Sequence, residues 1–357
     1  MDQQGDLLGL VSPVHEQLDE NIAPPRAQPL VWLMLGNRLG DNNQLLALAE
    51  GLGLPFETKL LAYNQLRRLP RFLRGARLIS LTRSARRLIK PPWPDLVIGV
   101  GYGSVPVARY IRHQAGGATR LVQIGNPRSD ISDLDLVITT PQYARDPAPN
   151  VLALPLPIGN PAACVTVSDN EEQWLRGYPH PHRLFAIGGP TRNWKIDRAE
   201  LIRAIGVDKL RCEHDGGTIV VVTSPRTDAR TRHSLAQCLA GTRHAMVEDF
   251  PRFPVLLARS DEIYVTADSV SMLAEAMLTG KPVGMIRIAP SLRGRVSAWL
   301  DRNRLKPRPY PDLPNFWHLL SLHDLVGTVD SPIACTVTDT VSTAANAVRK
   351  LLDRPTP

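Results

Sequence analysis

The chain has 357 residues, 43% hydrophobic and 21% charged, an ordinary globular composition that argues against a disordered chain and leaves room for about two domains. A core that large folds without a disulfide or metal staple. The net charge of +8 comes from 42 basic and 34 acidic residues, only seven of the basic ones lysine, and it points to anionic partners without choosing among nucleic acid, phosphate-bearing substrates and anionic lipid.

Residues 1–27 are polar, end in Ala23-Pro24-Pro25-Arg26 and suit a loose N-terminal extension; acids come early and no basic stretch precedes an apolar block, which is not the pattern of a signal peptide. Leu30–Leu35 is a short apolar run that predicts a buried parallel strand, followed by a polar loop from Gly36 to Asn43. Leu45, Leu48, Ala49 and Leu52 predict a helix over 44–52, capped by Asp41, Asn42 or Asn43 and stopped near Gly53. Strands are predicted at 95–100, 120–124, 134–139 and 151–154, with a helix from about Val105. Prolines break the pattern from Pro155 to Pro181, and a linker is placed at 161–182 with His180 and His182 in it. The grammar restarts with strands at 184–187, 218–223, 262–266 and 282–288, and a last helix over 340–352. The expected fold is α/β, two tandem Rossmann-like doubly wound domains facing a cleft: 28–160, then 183–335, with 336–357 as a C-terminal helix. No apolar run reaches the roughly 18 residues of a spanning helix. Cys164, Cys212, Cys238 and Cys335 are far apart, with no CxxC pair to build a zinc ribbon, and suit reduced thiols in a cytoplasmic protein.

The loops after the strands are where ligands of such sheets bind. In Thr266–Val283, a strand delivers Asp268, Ser269 and Ser271 to a helix start, with Met272 beside them and Glu275 one turn on; free N–H groups and hydroxyls there suit a diphosphate, and Glu275 a ribose diol. The same residues also serve as a plain helix cap and a solvated face. Gly188, Gly189 and Thr191 follow the first strand of the second domain, where paired glycines let a backbone approach a ligand or simply make a tight turn. Thr223, Ser224 and Arg226 end the next strand with hydroxyls and a guanidinium. In the first domain, Asn37, Asp41 and Asn42 follow the first strand, and Asp41 is the candidate catalytic base. Gly101, Gly103 and Ser104, and Asn126 with Arg128, form further loops on the acceptor side; the glycines are not a dinucleotide fingerprint, since Ser104 stands at the last glycine. Leu66–Lys90 carries nine basic residues and no acid, with Arg67, Arg68, Arg71, Phe72, Arg74 and Arg77 as a membrane patch; Phe72 is its sole aromatic, which disfavours nucleic acid.

Gly40-Asp41-Asn42-Asn43-Gln44, Gly125-Asn126-Pro127-Arg128, Gly188-Gly189-Pro190, Thr223–Thr227 and Thr266–Ala276 with Gly280-Lys281-Pro282 together resemble the Elm-type mitochondrial-fission family, whose bacterial members are labelled as nucleoside-diphosphate-sugar enzymes. The layout is also similar to GT-B glycosyltransferases. That resemblance implies a nucleotide-sugar donor in the second domain, held by Ser269, Ser271 and Glu275, an acceptor in the first, and a final helix crossing back. It implies no cofactor and no bound metal. The expected function is transfer of a sugar from a nucleoside diphosphate to a lipid-linked or envelope-glycan acceptor at the inner face of a membrane. The alternatives are a nucleotide-sugar 2-epimerase-like enzyme and a non-catalytic membrane-associated fission or scaffold protein.

Overall fold

A computed structural model describes residues 28–68, 75–143, 145–159, 165–303 and 311–354. The expected N-terminal extension, Arg71, Phe72, Arg74 and Cys164 lie outside the described residues. The first domain runs β1 (Val31–Leu35), α1 (Leu39–Leu52), β2 (Phe56–Leu60), α2 (Arg83–Arg87), β3 (Leu96–Val100), α3 (Gly101–Gln114), β4 (Arg120–Ile124), β5 (Leu136–Thr139) and β6 (Val151–Ala153). Its six strands are all parallel, in the order β2-β1-β3-β4-β5-β6. The central strands β1, β3 and β5 are continuous apolar runs because helices cover both faces, whereas the edge strand β2 is mostly exposed. Leu33, Ile98 and Val122 pack toward one side, Trp32, Val97 and Leu121 toward the other.

The second domain begins with α4 (Asp169–Arg176) and continues β7 (His182–Ile187), β8 (Trp194–Ile196), α5 (Arg198–Asp215), β9 (Thr218–Thr223), α6 (Ala229–Leu239), β10 (Ala245–Val247), α7 (Phe253–Arg259), β11 (Glu262–Thr266), α8 (Val270–Met277), β12 (Pro282–Ile286), β13 (Ile288–Pro290), α9 (Leu292–Arg302), α10 (Leu313–Leu322) and β14 (Ile333–Ala334). The main sheet has the order β10-β9-β7-β11-β12-β14, parallel except for β14, while β8 and β13 form a small antiparallel ribbon. The final helix, α11 (Thr340–Leu352), returns to the first domain. Val341, Ala344, Ala345 and Val348 join Leu45, Leu48 and Leu52 of α1 in one core, and Val341 lies so close to Gly51 that a side chain there would collide with it.

Three sequence expectations need correction. First, α1 starts at Leu39 rather than Gln44, and α3 at Gly101 rather than near Val105. Gly101 takes a left-handed φ of 67°, which turns β3 straight into helix, so Gly101, Gly103, Ser104 and Asn42 sit in first helical turns and not in loops. Second, the segment expected as a linker holds α4, whose Ser168 and Glu171 form a reciprocal capping box and whose Leu175 joins the second core. Third, His182 is a buried β7 residue whose Nε2 lies 2.8 Å from the Tyr178 carbonyl, with its pKa lowered chiefly by burial. A carbonyl only accepts, so Nε2 carries the proton and donates it.

Candidate functional site

Each sheet has a point where the strand order reverses, and there the loops after two neighbouring strands part. In the first sheet that point lies between β1 and β3, in the second between β7 and β11. Asp41 and Asn42 follow β1 at the first of these points, and Gly188, Gly189 and Asp268 follow β7 and β11 at the second.

In the second domain, β11 carries Asp268 to the end of β7. The Gly189 N–H donates to the Asp268 carboxylate (2.9 Å), the Gly188 N–H donates to the Thr266 hydroxyl (2.8 Å), and Arg226 donates to the same carboxylate (3.2 Å). Asp268 is buried, and burial raises its carboxyl above the usual range. Side chains on Gly188 or Gly189 would collide with Asp268 or with the Arg226 backbone. The glycine pair is therefore demanded by the chain's own packing. Thr227 braces the loop by donating to the Gly188 carbonyl (2.6 Å), and Thr223 accepts from Arg232 (2.9 Å). The Ser224 hydroxyl is within bonding distance of Thr227 (3.2 Å), while Thr191 closes the turn into β8 by accepting from the Trp194 N–H (3.2 Å). Arg226 keeps about half of its side chain exposed (49%).

At the start of α8, Ser269 is the N-cap residue, yet its side chain caps nothing. The first-turn N–H groups of the helix are thus without a side-chain acceptor. Ser271 reaches across to the first domain: a Cβ on Gly40 would lie 2.7 Å from its hydroxyl oxygen. Met272 is partly buried against the second core. Glu275 is bonded to the Asn43 side chain of α1, and burial pushes its carboxyl up to about 7. The two domains therefore meet through α1 and α8, with Glu275 between them.

In the first domain, Asn42 clamps the end of β1, accepting from the Gly36 N–H (2.8 Å) and donating to the Gly36 carbonyl (2.9 Å). Asn37 is exposed in that turn. Asp41 stands beside it in the first turn of α1, its carboxyl raised by burial against the opposing pull of Arg38. Ser104 is buried and tied to the Val100 and Gly101 carbonyls and to Gln123, and Gly103 is pressed against Tyr63, so both are structural. Asn126 accepts from the Arg128 N–H (2.8 Å) and holds Arg128 in a left-handed conformation (φ 51°). Arg128 then lies 4.9 Å from the Tyr102 ring, and Arg67 lies 5.1 Å from the same ring and 4.5 Å from Tyr63. Cation–π attraction holds each guanidinium. Tyr143 completes the group; burial raises its phenol, and Asp41 adds to the rise.

Of the residues expected to form a membrane patch, Arg71, Phe72 and Arg74 lie outside the described residues. Arg67 turns toward the aromatic rings at the end of β3, Arg77 is exposed, and the neighbouring Arg86 is spent on the Ile79 and Leu81 carbonyls. Arg68 ends a short 3-10 turn over Gln65–Arg68. The residues that sequence reasoning missed are Arg38, Asn43, Tyr63, Tyr102 and Tyr143. The signal available for them was position, since Asn43 and Tyr102 directly adjoin residues that were chosen. Among the described residues no three His, Cys, Asp or Glu side chains gather to hold a metal, and no helix is long and apolar enough to cross a membrane.

Residues 39–306 match the family model described as mitochondrial fission ELM1. Mitochondrial fission protein ELM1 of Arabidopsis thaliana is 24% identical over 234 residues, covering 58% of this chain; the chain spans only 55% of that relative's length. An uncharacterized protein, RP120, of Rickettsia prowazekii (strain Madrid E) is 25% identical over 296 residues, 71% of this chain and 82% of its own. Among solved structures, UDP-GlcNAc 2-epimerase from Neisseria meningitidis bound to UDP-GlcNAc aligns with a TM-score of 0.50 at 14% identity, over 90% of this chain and 99% of that one. The shared architecture is the GT-B-like pair of Rossmann-type domains.

Proposed function

This chain belongs to the mitochondrial fission ELM1 family, and on that premise we propose that it is a nucleotide-sugar-dependent glycosyltransferase working at a membrane surface. The observation that carries the reading is the pairing of two polar clusters at facing switch points, with the desolvated Glu275 between them. The donor diphosphate lies at the start of α8, where the uncapped N–H groups, Ser269, Ser271 and the exposed part of Arg226 offset its charge. Glu275 exchanges Asn43 for the ribose diol. The acceptor enters from the first domain, where Arg67 and Arg128 flank Tyr102 and favour an anionic, phosphate-bearing acceptor such as a lipid-linked glycan. Asp41, its pKa raised by burial, takes the proton from the acceptor hydroxyl as that oxygen bonds to the anomeric carbon. The bond from that carbon to the diphosphate breaks, and the nucleoside diphosphate leaves with the electron pair.

A second reading, 2-epimerisation, is favoured by the two desolvated carboxyls Asp41 and Glu275, and by the fold shared with the Neisseria meningitidis 2-epimerase that binds UDP-GlcNAc. A third, non-catalytic reading follows the Arabidopsis relative's name and predicts membrane binding without turnover. Incubation with UDP-GlcNAc and isolated membrane lipids, followed by mass spectrometry of the lipids and proton NMR of the nucleotide sugar, separates them. Sugar-bearing lipid with free UDP supports transfer. An epimer at the sugar C2 supports the second reading, and unchanged nucleotide sugar the third.

A further inference from the structure

The helix α9 is built inside out. Leu292, Val296 and Trp299 stand on its outer side with 81%, 56% and 56% of their surface exposed. At about 100° per residue they share one arc roughly 60° wide. Arg295 and Arg302 line one border of that arc and Arg293 the other, all three exposed. The side facing the protein holds Gly294, pressed against the Asn193 carbonyl, with Ser297 and Asp301 near it. Packing among the described residues explains none of the outward apolar side chains, since a surface helix ordinarily turns these inward.

From this we infer that α9 is a membrane-docking helix that lies in the interface of an anionic bilayer, with Leu292, Val296 and Trp299 immersed among the acyl chains and Arg293, Arg295 and Arg302 at the phosphates. An apolar strip bordered by arginine on both sides, with an indole at its end, matches the layered chemistry of a lipid surface. Charge favours this occupant over a second copy of the chain, because two such helices would bring six guanidiniums together, whereas anionic headgroups neutralise them. The net charge of +8 adds to the attraction.

The place of α9 gives docking a use. Ser291, its N-cap, donates from its N–H to the Asn193 carbonyl (2.9 Å) and from its hydroxyl to the Arg192 carbonyl (3.3 Å). Arg192 and Asn193 belong to the loop after β7 that also carries Gly188 and Gly189. A bilayer on α9 therefore borders the rim of the donor site, where an acceptor held in the lipid can be reached. The inference deepens the membrane part of the proposed function and rests on it for this use alone; the binding itself needs no nucleotide.

The test is sedimentation of the full chain with vesicles of phosphatidylcholine alone and of equal parts phosphatidylcholine and phosphatidylglycerol, without nucleotide. The wild type is expected to sediment with the anionic vesicles and far less with the neutral ones. Replacing the three apolar residues together (L292S, V296S, W299S) should lower the partition coefficient at least about tenfold. The pair R295E and R302E should abolish the preference for phosphatidylglycerol. All five side chains are on the surface, so melting should be unchanged, and light scattering should give the same mass for every variant. Equal sedimentation of variant and wild type, or no binding to anionic vesicles, would overturn the inference. So would a wild-type dimer that the serine substitutions dissociate. Loss of nucleotide binding with vesicle binding intact would remove the transferase and leave the docking helix standing.

Discussion

Replacing Glu275 by glutamine should remove a pH dependence from the stability of the protein. In the folded state its carboxyl titrates at about 7, against 4.5 for the ordinary group, because α1 and α8 close over it and leave one Asn43 bond in place of water. The sign follows from proton binding. Below pH 4.5 both folded and unfolded chains hold the proton and the full stability is present. Between 4.5 and about 7 the unfolded chain has released it while the folded chain keeps it, so stability falls as pH rises. Above 7 both are ionised and the loss is complete. At about 1.4 kcal/mol per pH unit, the loss is about 3 kcal/mol. Glutamine is neutral throughout and bonds to Asn43 equally well. Urea unfolding of both proteins across this range should show the variant gaining on the wild type by about 3 kcal/mol between acid and mildly alkaline pH, or about 5 °C in melting temperature. A wild-type to variant difference that does not change with pH would refute the desolvation of Glu275. A ribose diol donates to the ionised form, so nucleotide should bind the wild type more tightly as pH rises through 7, and the variant without that trend.

Gly189→Ala should destabilise the protein by several kcal/mol, since the methyl meets the Arg226 backbone, and chemical denaturation would register it; a neutral outcome would mean the loop relaxes freely. Arg183→Met leaves the fully buried Asp208 and its neighbours Asp215 and Glu262 short of one cation, at a cost of about 3–5 kcal/mol in the same assay. Tyr102→Ala frees Arg128, leaves Arg67 held by the Tyr63 ring alone, and should weaken binding of an anionic acceptor by about 1–3 kcal/mol while donor binding stays unchanged; calorimetry with each ligand separates the two.

Much of the architecture is legible from apolar runs. The strands at Arg120–Ile124, Thr218–Thr223 and Glu262–Thr266 and the helix Thr340–Leu352 have the bounds their patterns predict. The edge strand β2 escapes because Phe56–Leu60 is mostly exposed and lacks a buried run. The helix starts at Leu39 and Gly101 escape because glycine reads as loop, whereas a left-handed Gly101 is what lets helix follow strand directly. At the candidate site, loop position locates Asp41, Arg128, Asp268 and Glu275, but their partners are set by tertiary structure. Nothing in the spacing of Gly188 and Gly189 reveals that Asp268 fills the space beside them, and nothing in a run of arginines distinguishes Arg67 on an aromatic ring from Arg77 in solvent. Asn43 meets Glu275 only because α11 and the α1–α8 contact bring the domains together.

The central claim is that the cleft side of the second domain holds a nucleoside-diphosphate sugar. Thermal-shift measurements with UDP-, GDP-, ADP- and CMP-sugars, on the wild type and on Glu275→Ala, test it most directly. A ligand at about 100 times its Kd adds roughly 2.7 kcal/mol, which a melting curve resolves. The account predicts a shift with one nucleotide class in the wild type and its loss in the variant. No shift with any of the four, or an equal shift in both proteins, would contradict it.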